Sequence, residues 1–71
     1  MMNMIEQYDQ VAMLVDIPEE NLRRGCVGVV IEKYNEDAFE VEFSEQSTGI
    51  DYAMAVLKND QLLKLYFAGQ S

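Results

Sequence analysis

The chain has 71 residues, 49% apolar and 25% charged, a balance that suits one small globular domain and is too hydrophobic for a disordered acidic tail. Its 5 basic and 13 acidic side chains give a net charge of −8, so nucleic acid and anionic membrane are poor partners. Histidine is absent and cysteine occurs once, which removes disulfide scaffolds and the usual zinc sites.

We read a single domain over residues 1–71, with a core over about 9–65. Met1 to Ile5 carry no basic cluster, and no apolar run of about 7–15 residues marks a signal peptide. No apolar stretch of about 18 residues is long enough to span a membrane. With Cys26 alone, a reducing cytoplasmic compartment is the expectation. Residues 1–9 are too short for an independent helix and read as a lead-in or a single turn.

The first strand is expected over 10–15, where Val11-Ala12-Met13-Leu14-Val15 runs apolar up to Asp16. Pro18 then blocks a central strand, because it lacks an N–H and fixes φ. Residues 18–24 read as a loop, with room for one 3₁₀ turn that has Pro18 at its start. The second strand is expected over 25–34, where Val29, Val30 and Ile31 favour the pleated conformation. Asn35-Glu36-Asp37 supplies turn chemistry, and Phe39-Glu40-Val41-Glu42-Phe43 alternates as a half-buried strand does.

Residues 44–49 read as a polar loop. Within 50–57, alternation places Ile50, Tyr52, Met54 and Val56 on one face, although Ala53, Met54, Ala55 and Leu57 are also good helix formers. Strand is the reading adopted. A short turn over 60–62 precedes a closing strand at 63–65 and a tail over 66–71.

A register follows for the 25–43 hairpin. A four-residue loop Asn35–Ala38 sets Tyr34 opposite Phe39, Lys33 opposite Glu40 and Val30 opposite Phe43. The alternative slip sets Glu32 against Glu40, placing like charges side by side, and is disfavoured. The preferred register puts Glu32 on a face with Val30, Tyr34 and Val41, where its carboxylate needs a donor. Five short strands at this spacing suggest an all-β, five-stranded closed barrel with a 3₁₀ turn before the last strand.

The order Asp9-x-Val11-Ala12, Asp16-Ile17-Pro18-Glu19, Leu22-Arg23-Arg24-Gly25-x-x-Gly28-x-Val30, Tyr34, Phe39-Glu40-Val41-Glu42-Phe43 and Leu62-Leu63 resembles a family of short bacterial domains of unknown function, largely cyanobacterial. The resemblance covers roughly positions 8–65. It implies an SH3-like barrel akin to KOW-type modules and to the barrel of the nitrile hydratase β subunit. The acidic turn at Asn35-Glu36-Asp37 and the Ala53-Met54-Ala55 stretch depart from the family pattern.

Arg23-Arg24-Gly25 with Gly28 resembles the loop that KOW modules present to RNA, but two cations beside Glu19 and Glu20 read as a solvated turn. Residues 32–45 hold six carboxylates against Lys33 alone, either as a solubilising face or as a patch for a basic partner. No calcium-loop spacing organises them. Cys26 reads as a small buried hydrophobe, the tyrosines as core or rim residues, and Met2, Met4, Met13 and Met54 as gap-fillers.

No nucleophile–base pair, phosphate cradle or metal cluster stands out, so the chain reads as a non-enzyme with no cofactor. The expectation is a small acidic protein-interaction module, in one version an inhibitory or antitoxin-like partner of a basic effector. Its protein-binding candidates are Glu32, Tyr34, Glu36, Glu40, Glu42, Tyr52 and Tyr66. The alternatives are a KOW-like nucleic-acid accessory and an assembly subunit resembling the nitrile hydratase barrel. Homodimerisation through the strand beside Tyr66-Phe67 is a further option.

Overall fold

The computed structural model describes residues 4–44 and 52–69. Among these, five strands form one antiparallel sheet: β1 Gln10–Met13, β2 Val27–Asn35, β3 Ala38–Ser44, β4 Tyr52–Leu57 and β5 Leu62–Lys64. Their order across the sheet is β4-β3-β2-β1-β5. Two 3₁₀ turns, Pro18–Glu20 and Asn59–Gln61, occupy the β1–β2 and β4–β5 connections. The all-β fold and the 3₁₀ turn before the last strand match the sequence expectation. No helix among the described residues is long and apolar enough to cross a membrane.

The elements follow from local chemistry. β1 stops at Met13 rather than at residue 15, leaving Leu14 and Val15 partly exposed. There Asp16 turns its carboxylate to the Arg24 amide at 2.8 Å, and an Ile17–Leu22 bridge closes the Pro18 turn. Gly25 adopts φ +95, a left-handed conformation that favours glycine, and donates its amide to the Met13 carbonyl at 2.8 Å. Gly25 and Cys26 therefore belong to the turn, and β2 begins at Val27. Cys26 is only half-buried against the core, and its Sγ accepts the Arg23 amide at 3.4 Å. β5 likewise sits at 62–64, one residue earlier than expected, because the preceding turn ends at Gln61.

The inward residues are Val11 and Met13 of β1, Val30 of β2, Phe39, Val41 and Phe43 of β3, Leu57 of β4 and Leu62 of β5. Ile5 from the lead-in and Leu22 from the β1–β2 connection complete the buried cluster. Phe43 explains how β2, β3 and β4 fit together. It lies opposite Gly28 on one side and Ala53 on the other. A Cβ added at Gly28 would stand 2.8 Å from the Phe43 ring and 2.6 Å from the Glu42 carbonyl oxygen. Large residues of β3 thus fill space left by small neighbours, and Ala53, Ala55 and Leu57 become the inward face of β4. Met54 and Val56 consequently point outward.

The hairpin register overturns the expected one. Val30 pairs with Val41, Glu32 with Glu40, Lys33 with Phe39 and Asn35 with Ala38. Two irregularities on β2, at Ile31 and at Tyr34, each add one residue relative to β3. Their causes lie partly outside the hairpin. Asn35 accepts the Asp37 amide on its side-chain oxygen at 2.8 Å, which tightens the loop to Glu36-Asp37. The lead-in engages β2 as well: the Tyr8 amide donates to the Val30 carbonyl at 2.6 Å and the Gln7 side chain to the Ile31 carbonyl at 3.0 Å. Lys33 pairs with Glu6 at 3.3 Å and Glu36 at 3.6 Å instead of Glu40. The first bulge also takes Glu32 out of the row of Val30 and Val41, so its carboxylate is exposed.

The curled sheet does not close by hydrogen bonding among the described residues. β4 and β5 remain the two ends of the ladder, joined at one corner by Lys58 and the Asn59–Gln61 turn. That corner is tied to the hairpin tip, where the Asn59 amide donates to Asp37 Oδ1 at 2.9 Å. The expected polar loop 44–49 lies, from residue 45 on, outside the described residues.

Candidate functional site

The outer surface of β2, β3 and β4 is organised in rows that run across the strands. In one row Glu42 lies between Val29 of β2 and Met54 of β4. In the next, Glu40 lies between Glu32 and Val56. Strand alternation puts Glu40 and Glu42 on this face because Phe39, Val41 and Phe43 occupy the core face. Glu32 reaches it only through the bulge at Ile31.

Tyr34 extends the same surface. As the extra residue of the second irregularity it stands exposed, and its hydroxyl donates to a Glu40 carboxylate oxygen. That hydrogen bond is the main reason its pKa rises above the ordinary tyrosine value, with partial burial and the negative charges of Glu40 and Glu32 adding to it. The site therefore holds three carboxylates and a phenol beside Met54 and Val56, which are 44% and 62% exposed. It offers acceptors and apolar surface to a ligand. Among the described residues, no group of three or more acidic or cysteine side chains is arranged to hold a metal ion.

The other candidates fall elsewhere. Glu36 stands at the hairpin tip, engaged with Lys33. Tyr66 follows β5 at the opposite end of the ladder, its ring 5.5 Å from the Lys64 ammonium. Tyr52 opens β4 opposite Ser44, and its side chain lies outside the described residues. Of the two readings, core or rim, the exposures of Tyr8, Tyr34 and Tyr66, 72%, 55% and 62%, remove the core one for these three. Of the methionines expected as gap-fillers, Met13 is buried, whereas Met4 and Met54 are exposed; Met2 lies outside the described residues.

Sequence reasoning missed Val29, Met54 and Val56 as the apolar companions of the carboxylates. The alternation of 50–57 was the available signal, since it separates Met54 and Val56 from Ala53 and Ala55. A shallow depression lined by Asp16, Pro18, Asn21, Leu22 and Arg23 lies apart from this face. Residues 7–64 match the family model of a domain of unknown function, DUF4926. No curated protein and no solved structure matches the chain.

Proposed function

Because the chain belongs to the DUF4926 family, a domain of unknown function, we propose from the geometry alone that it is a small protein-interaction module whose acidic outer face docks a basic protein. The observation that carries this reading is the direct cross-strand pairing of Glu32 with Glu40. Like charges in that position oppose sheet stability, where an opposite-charge pair would contribute roughly 0.2–1 kcal/mol. Lys33, next to Glu32 in sequence, is spent on Glu6 and Glu36. Among the described residues no ion pair neutralises Glu32, Glu40 or Glu42, with Glu32 exposed and Glu40 and Glu42 half-buried, and such a surface attracts a cationic partner. In its specific version the partner is an effector whose basic site these carboxylates cover, in the manner of an antitoxin.

The strand order β4-β3-β2-β1-β5 is the one an SH3-like barrel has, and it supports relating the domain to KOW-type modules by architecture. A nucleic-acid role draws less support. Arg23 and Arg24 are exposed, but Asp16, Glu19 and Glu20 stand in the same connection.

Co-purification from native lysate tests the proposal, with wild type set beside the triple variant E32Q/E40Q/E42Q. The expected result is a basic protein retained by wild type, released by salt and absent with the variant. Recovery of the chain by itself, or equal recovery by both forms, contradicts it. Retention of RNA in a low-salt gel shift favours the KOW-like alternative instead.

A further inference from the structure

We propose that the outer edge of β4, unpaired among the described residues, takes up an extended segment of the partner protein as a sixth strand, one carrying Lys or Arg at every second position. The inference rests on the basic-partner reading above and adds how that partner binds.

Three observations converge. First, β4 ends the ladder, and nothing among the described residues pairs with its outer edge. Secondly, its residues Tyr52-Ala53-Met54-Ala55-Val56-Leu57 contain no charge, proline or glycine. Charge and proline are among the devices that keep an edge strand from pairing, so this edge is open to strand addition. Thirdly, the exposed side chains of β4 and the carboxylates of β3 share one spacing. Met54 lies beside Glu42 and Val56 beside Glu40, and both pairs step two residues along their strands.

A strand added to β4 runs about 4.8 Å beyond it and about 9.6 Å from β3. Its outward side chains then have Met54 and Val56 as immediate neighbours and the carboxylates one strand further in. A long basic side chain suits both neighbours, because its aliphatic stem covers apolar surface while its head reaches an anion. Two steps along the incoming strand, the same match repeats. An acidic or neutral segment leaves Glu40 and Glu42 unanswered. A second copy of this chain is the poorer occupant, since it presents an uncharged β4 and brings another net charge of −8.

The test titrates two synthetic peptides of about eight residues into isotopically labelled protein. One alternates Arg with Val and Thr; the other has the same composition with its arginines in a block. The proposal expects the alternating peptide to bind about tenfold or more tightly, with amide shifts concentrated on Ala53–Leu57. Val56→Lys places a repelling cation on the exposed edge and should remove that preference while the fold persists. Equal binding of the two peptides overturns strand addition but leaves simple charge attraction, and hence the basic-partner reading, intact. Binding of neither peptide, with the basic protein still retained through Glu32, Glu40 and Glu42, also overturns this inference alone. A wild-type dimer that Val56→Lys converts to monomer assigns the edge to a second copy and overturns it too. Failure of the salt-sensitive capture itself removes both proposals.

Discussion

The two end strands of this sheet are finished in opposite ways. β5 is three residues long and carries Lys64, whose ammonium is held by Asp9 at 3.0 Å and by the Met4 carbonyl at 3.0 Å. The Asp9 hydrogen bond is the main reason the Lys64 pKa rises, with the charges of Asp9, Tyr66 and Glu6 adding to it and partial burial opposing it. β4 is six residues long, uncharged, and shows Met54 and Val56 to solvent. Shortness and a fixed lysine blunt one edge. The other is bordered by the acidic row of β3. Under the proposed strand addition, a charge on a sheet edge and a charge one strand inside it do different work: the first discourages pairing, the second selects what pairs.

The largest expected effect comes from breaking the packing that turns β4's alanines inward. Gly28→Ala forces a methyl against the Glu42 carbonyl and the Phe43 ring, and should destabilise the domain by about 1–3 kcal/mol in chemical denaturation. Exchanging the character of the two edges comes next. Lys64→Met removes the ion pair and the charge that blunts β5, so it should lower the melting temperature and cause concentration-dependent association in sedimentation. Val56→Lys should leave stability within about 0.5 kcal/mol of wild type, since the side chain is exposed. Association by wild type that Lys64→Met leaves unchanged would show that β5 is not the blunted edge.

Smaller again, Glu32→Lys converts the like-charge pair with Glu40 into an opposite-charge pair and should stabilise by roughly 0.2–1 kcal/mol, read from the same denaturation curves at low salt. The smallest effect is alkaline. Tyr34 and Lys64 both hold their protons more tightly in the folded chain than in the unfolded one. The stability they contribute is therefore complete below about pH 10 and is lost as pH rises through their folded values. Thermal melts should fall over that range, and Tyr34→Phe should flatten the decline. A melting temperature rising above about pH 10 would contradict the assignment.

The strands were legible because their signals are local: β-branched runs in β2, unbroken alternation in β3, and breakers at Pro18, Asn35 and Asn59. The hairpin register was not, because pairwise reasoning offered Lys33 to Glu40. In the folded chain Lys33 has Glu6, 27 positions earlier, and Gln7 and Tyr8 take up carbonyls of β2. Long-range partners of this kind leave no periodic trace. The carboxylates of the candidate site could be named from the sequence, but their neighbours could not. Which way β4 faces depends on Phe43 filling the space that Gly28 and Ala53 leave, a matter of volume across three strands.

A double-mutant cycle at Glu32 and Glu40 tests most directly whether the acidic face is held against the preference of the sheet. Unfolding free energies are measured at low salt for wild type, Glu32→Gln, Glu40→Gln and the double variant. The predicted result is that Glu32→Gln stabilises the domain while Glu40 is charged and adds little once Glu40 is Gln; Glu40→Gln alone also weakens the Tyr34 hydrogen bond, so the cycle reads the coupling and not that single value. A destabilising Glu32→Gln, or a coupling energy of favourable sign between Glu32 and Glu40, would show a pair satisfied within the folded chain, and would contradict the claim that this pair is held against the preference of the sheet.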